Sequence, residues 1–375
     1  MPLTGMTRWS VIVCGGTLQL PSASGPANLI RAPRGVAALR GGLPFGAIMA
    51  TAGVSALAGR CGVAPLMRPL LGLAIVQAVW TSVRSIGVHR AQSRFVWRAW
   101  WTVGPAHEHC GVHTVPLGLA VIASGMLAID PPATGGSLVV AGLCLVVAWV
   151  TTVMAVGRFT WSLATRGLDL HSFDGTWFLV PATFLGVAIA TGRMASALAG
   201  YWPDPMRRLA AASTVIGALG YWAFFVLAGL RIRRYGLAHV ARVSWWIAMG
   251  CAGLGAAALG QVLQQRPRVL PAQWLADATV MSIGAALILS VPVLLLSAWF
   301  LLRESGFRAM APWPPTFSTS VFALGALQAG QVLHASVLST LGVGAADATL
   351  VLWSATAGWN LKCVYTAWSI GARRS

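Results

Sequence analysis

From Leu43 onward the chain alternates long apolar stretches with short polar breaks. A membrane-spanning helix needs about 20 mostly apolar residues. Ten stretches meet or approach that length: 43–59, 63–86, 111–129, 136–157, 176–192, 209–230, 244–264, 275–302, 316–340 and 346–371. No break between them has room for a second folded domain. The pattern predicts an all-α integral membrane protein with ten transmembrane helices, a single transport-sized unit over residues 41–372. Residues 1–40 differ, with Gly, Pro and Ser scattered among Arg8, Arg31, Arg34 and Arg40. They read as a disordered cytoplasmic tail or as a start codon placed too early. A signal peptide with its core at 9–20 and Ser22-Ala23-Ser24 as the cleavage site is the weaker alternative.

The odd and even stretches carry different side chains. Leu138 to Val153, Trp222 to Leu230 and Leu287 to Leu301 are bulky nearly all round, as lipid-facing helices are. The odd stretches are rich in Gly and Ala, which let backbones approach closely or leave space. They also share a quartet, an apolar residue, then Pro or Ala, then an apolar or small residue, then Gly or Thr. It reads Leu43-Pro44-Phe45-Gly46, Val115-Pro116-Leu117-Gly118, Val180-Pro181-Ala182-Thr183, Ile247-Ala248-Met249-Gly250 and Phe322-Ala323-Leu324-Gly325. The second positions are 72, 65, 67 and 75 residues apart. The repeating unit is therefore a two-helix hairpin, used five times, with the odd helices inside and Pro44, Pro116 and Pro181 as kinks.

Composition supports the lipid setting. The chain is 57% hydrophobic and only 9% charged, against about 25% charged in soluble domains. Its formal charge of +18 would suggest nucleic acid in a soluble protein, but here most of it is topological. With the N-terminus inside, the inside segments hold 18 arginines and the outside segments 7. That bias predicts a plasma-membrane protein with both termini cytoplasmic. Arg207 and Arg208 dissent, marking either a missed helix or an anion-attracting mouth. No nucleic-acid partner is expected. The six cysteines show no C-x-x-C spacing, no metal site or cofactor is signalled, and no acid falls mid-span in these boundaries.

On these residues the chain resembles the tellurite-resistance/dicarboxylate transporter family, which includes malate permeases, sulfite efflux pumps and plant slow anion channels. The stretches that carry the likeness are Leu43 to Gly53, Thr114 to Ile122, Asp174 to Thr191, Trp245 to Gly255 and Phe317 to Gly325. The resemblance implies five helical hairpins around a central pore, a homotrimeric assembly with one pore per subunit, and small anions as cargo. It also implies a phenylalanine plug on the ninth helix, at the position matching Phe322, although Ala323 stands where relatives carry proline.

The candidate pore-lining residues are Phe45, Thr51, Thr114, Thr183, Ser124 and Ser320, the hydroxyls as donors to a passing anion. Lys362, inside the tenth stretch, is either an anion-attracting charge or a side chain snorkelling to an interface. His113 and His334 are either pH sensors or hydrogen-bonded interfacial residues. Trp97, Trp100, Trp101, Trp177, Trp202, Trp245 and Trp246 read as an aromatic belt at the bilayer surface. The rival from another class is a membrane-embedded lipid-modifying enzyme built on His107, Glu108 and His109.

Overall fold

The computed structural model describes residues 43–91, 109–129, 135–198, 203–236, 243–265, 270–303 and 313–372. These residues are helical, with no strand among them. Ten helices of 16 residues or more follow one another: α1 (Leu43–Arg60), α2 (Ala64–Ala91), α3 (Thr114–Ile129), α4 (Gly135–Arg166), α5 (Leu179–Ala197), α6 (Pro203–Tyr235), α7 (Trp246–Gln265), α8 (Ala272–Arg303), α9 (Trp313–Val332) and α10 (Ser336–Ala372). The expectations placed on residues 1–40, on Trp97, Trp100, Trp101 and Trp202, and on His107 and Glu108 lie outside the described residues.

Each odd helix packs on the even helix that follows it, giving five hairpins. The odd helices also pack on one another in sequence, α1 on α3, α3 on α5, α5 on α7 and α7 on α9, and α9 returns to α1. The ring is closed. Burial follows the same division. The apolar windows of α5 and α7 are 83% and 89% buried, whereas those of α6 and α10 are 22% and 17% buried. Val153, Leu219, Ile288 and Val351 on the even helices are all more than half exposed, an apolar coat suited to lipid.

Among the described residues seven helices, α3 to α8 and α10, are long and apolar enough to cross a membrane. The apolar part of α2 is shorter, Pro65–Thr81. α9 carries Thr316, Ser318, Ser320, Gln328 and Gln331, polarity that an inner helix tolerates because its neighbours are protein.

Several sequence expectations change. Pro116 and Pro181 each stand third in their α-helix, directly after the 3-10 turns Gly111–His113 and Gly175–Phe178, and Pro44 stands second in α1. Proline is pre-set for the first helical turn, where its missing N–H removes least. The three prolines start helices and do not kink them mid-span. Ala248 is likewise third in α7 after the 3-10 turn Val243–Trp245. In α9 the third residue is Pro315. By place in the helix Pro315 aligns with Pro116, Pro181 and Ala248, so the fifth quartet position is Pro314-Pro315-Thr316-Phe317, with Phe317 where the other four have Gly or Thr, and the spacing of the second positions becomes 72, 65, 67 and 67.

The last two boundaries also move. α9 stops at Val332, and the chain turns through His334 with φ of 55°, the Ala335 N–H donating to the Gly330 carbonyl at 2.9 Å. Residues 336–340 therefore open α10, and Asp347, expected at a span end, sits three turns inside it. α6 begins at Pro203, which accounts for Arg207 and Arg208 as residues of its first turns, with Arg207 3.9 Å from Asp204.

Candidate functional site

The contacts of α9 determine which of its faces looks into the ring. Ser318 and Gly325 lie against α7, at Gly250 and Gly253. Trp313 and Ser320 lie against α1, at Gly46 and Gly53. Thr316 meets Thr356, Leu327 meets Gly342 and Gly330 meets Ser339, all on α10. At 3.6 residues per turn, the arc left between the α7 and α1 seams carries Phe317, Val321, Leu324 and Gln328. Phe317 and Val321 join Met49 of α1, Leu117 of α3, Leu185 of α5 and Leu254 of α7 in one buried apolar cluster. Every inner helix contributes to that cluster, which also holds Phe322.

Phe322 lies off that arc, between the α7 seam, where its backbone meets Gly253, and α10. It lines an open crevice of about 480 Å³ with Ser336, Val337, Thr340, Leu341, Gly344 and Ala345, all residues of the outer helix α10. The expected plug position is therefore turned away from the axis, and Phe317, five residues earlier, is turned toward it. The reason is the register: Phe317 occupies the fourth place of the fifth quartet, whereas Phe322 lies beyond it.

At the C-terminal ends of the odd helices a polar belt runs around the ring. Arg60 of α1 donates to the Gln331 Oε1 of α9 at 3.0 Å and, through its other terminal nitrogen, to Gln328 Oε1. Gln328 Nε2 donates to Gln264 Oε1 of α7 at 3.2 Å. Gln261 Nε2 reaches the Ile189 carbonyl of α5 at 3.1 Å, and Gln265 Nε2 reaches the Gly192 carbonyl at 2.8 Å. Arg193 of α5 donates to the Ser124 carbonyl of α3 at 2.9 Å. The belt thus joins α1, α9, α7, α5 and α3 in turn. Its two charges are both positive, and neither has a carboxylate within ion-pair distance among the described residues. Close helix packing makes room for it: a side chain on Gly192 would strike Gln261, and one on Gly260 would strike Gln328.

Most of the expected hydroxyl lining is used elsewhere. Thr114 Oγ1 donates to the Gly111 carbonyl at 2.7 Å, and Ser320 Oγ donates to the Phe317 carbonyl at 2.6 Å. Thr183 Oγ1 donates to the carbonyls of Leu179 at 2.8 Å and His113 at 3.1 Å. Thr51 Oγ1 accepts from Trp353 Nε1 of α10 at 3.2 Å, which places it against an outer helix. Ser124 is buried and enters the belt through its carbonyl. Phe45, like Pro44, stands in the first turn of α1. Lys362 is exposed on α10, away from the ring. His113 is buried edge-on to Phe159 at 6.2 Å, and His334 is exposed at the α9–α10 turn. Trp177, Trp245 and Trp246 are buried inside the protein and are no bilayer belt, Trp177 stacking on Phe173 at 4.9 Å.

Arg60, Arg193, Gln261, Gln264, Gln265, Gln328 and Gln331 are the residues that sequence reasoning passed over. A signal was present once the fifth register is corrected. Counting from Pro44, Ala248 and Pro315, the residue sixteen places on is Arg60, Gln264 and Gln331, and thirteen places on from the last two are Gln261 and Gln328.

Compared with known families, the chain matches the one described as voltage-dependent anion channel, SLAC1, over residues 44–360. This is the family that the sequence resembles. No curated protein matches the chain.

Proposed function

Because the chain belongs to the voltage-dependent anion channel family, we propose that it carries small anions across the plasma membrane along the axis of the five-helix ring. In this reading all ten helices cross the bilayer, both termini are cytoplasmic and three subunits assemble with one pore each. The polar belt then faces outside, because the odd helices run outward. The observation that carries the reading is the closed ring of five inner helices, each contributing to one apolar cluster, with a polar belt at one end that includes Arg60 and Arg193.

The chemistry follows from those two zones. A narrow apolar constriction excludes ions sterically and by dewetting, and Phe317 supplies its bulkiest ring. Moving Phe317 aside is the opening step. At the mouth, two guanidinium groups raise the local concentration of anions and repel cations. A monoanion leaving the cell gains about 2.3 kcal/mol per 100 mV of inside-negative potential, so export needs no coupled reaction. Nothing in the family match supports the lipid-modifying alternative built on His107, Glu108 and His109.

Reconstituted in liposomes, the protein should pass chloride, nitrate, sulfite or malate faster than empty vesicles leak them under an imposed potential. A protein that passes none of the four, with and without a Phe317→Ala change, would rule the reading out.

A further inference from the structure

Asp347 lies three turns inside α10, within the apolar window Ser336–Trp359, and it is exposed on the outer surface. Arg68 is likewise exposed, on α2, within the apolar stretch Pro65–Thr81. A charge that faces hydrocarbon is costly, and charges inside spans pair with one another or face water. The two stand at one depth. Beside Arg68, the Met67 carbonyl accepts from Ser55 Oγ at 2.8 Å, and the Met67 sulfur lies where a side chain on Gly59 would stand. Beside Asp347, Ala346 shares a buried cluster with Leu57. Both charges are therefore level with the stretch 55–59 of α1, and α2 and α10 each pack on that helix.

Resting on the reading in which all ten helices cross the bilayer and three subunits assemble, we propose that α10 of one copy packs on α2 of the next, with Asp347 paired to Arg68 of the neighbouring copy. Rotation about the membrane normal preserves depth, so it brings the two opposite charges level. The contact joins unlike faces, and such a contact repeats around an axis until it closes a ring. Acyl chains, being apolar, would leave both charges unanswered. The register set by the charge pair also suits the side chains. α2 and α10 run in the same direction, each rising 1.5 Å per residue. With Arg68 beside Asp347, Gly72 comes beside Val351 and Val79 beside Gly358. All four are exposed, and neither glycine has an atom of its own chain within 4 Å of an added Cβ. Each glycine thus leaves room for a neighbour's valine, as close helix packing in lipid requires.

The test reads assembly, apart from flux. Light scattering on the purified full-length protein in detergent should give the mass of three chains. Arg68→Glu and Asp347→Lys should each raise the concentration at which the assembly dissociates at least tenfold, and the two changes together in one chain should restore it. A pair formed within one chain is separated from a pair between chains by a disulfide test in native membranes. Gly72→Cys and Val351→Cys, placed on two differently tagged copies that keep both charges, should form a mixed disulfide on mild oxidation, absent when either is expressed alone. This arm does not depend on the charge variants folding. A monomeric unaltered protein, unchanged mass in both charge variants while they melt normally, or no mixed disulfide overturns the proposal. Anion flux from a monomer would leave transport standing and remove the interface. The mixed disulfide and the charge-swap rescue, without flux, would keep the interface and remove transport.

Discussion

Arg60, the last residue of α1, donates a 3.0 Å hydrogen bond to Gln331 in the last turn of α9, joining residues 271 apart in sequence. This contact closes the ring of inner helices at the belt. It also puts a positive charge where the first and fifth hairpins meet.

Removing either belt charge should slow anions selectively. Arg60→Gln and Arg193→Gln each delete donors of charge-assisted hydrogen bonds, worth about 1.5–3 kcal/mol. Anion flux at low salt should fall about tenfold or more by that energy, and the deficit should shrink in high salt as screening removes the electrostatic part. Flux measured against ionic strength in both variants checks this, and a deficit independent of salt would show that the charge acts otherwise.

The tightest helix seam should tolerate no added carbon. Gly325 meets the backbone of Gly253 across the α7–α9 interface, and Gly253 meets the Cα of Phe322 at 2.6 Å from where a Cβ would stand. Backbone gives way less readily than a side chain, so Gly325→Val should cost at least the roughly 1–3 kcal/mol of ordinary overpacking. Gly284, with nothing within 4 Å of an added Cβ, should accept alanine with its melting temperature unchanged. Thermal melts in detergent of the two variants provide the comparison.

Thr51 is predicted to matter for packing and not for transport. Its hydroxyl accepts from Trp353, so Thr51→Val should lose about 1 kcal/mol of stability and leave anion flux as it was. A large change in flux with normal melting would return Thr51 to the pore lining.

The hairpin repeat is legible in the sequence because helix starts need particular residues. Pro116, Pro181 and Ala248 all fall third in their helices, and small residues recur where the inner helices touch. The fifth register misleads because Pro314 and Pro315 stand beside Trp313, ahead of the apolar run, while Phe322-Ala323-Leu324-Gly325 imitates the quartet eight residues later. The belt is illegible for a different reason. Arg60 and Arg193 look like ordinary outside charges until α1 and α5 are placed around one axis, and Gln331 shows no tie to α1 in the chain. Hydroxyls such as Thr183 and Ser320 look available in sequence, but in a helix they bond the carbonyl three or four residues back.

The central claim, that Phe317 closes the axis and Phe322 does not, is tested most directly by anion conductance of single-site variants in planar bilayers or liposomes. Phe317→Ala should raise anion conductance by at least an order of magnitude and Phe317→Leu should raise it less, in keeping with a hydrophobic constriction, while Phe322→Ala conducts as the unaltered protein does. Conductance raised by Phe322→Ala and untouched by either Phe317 variant would contradict the account.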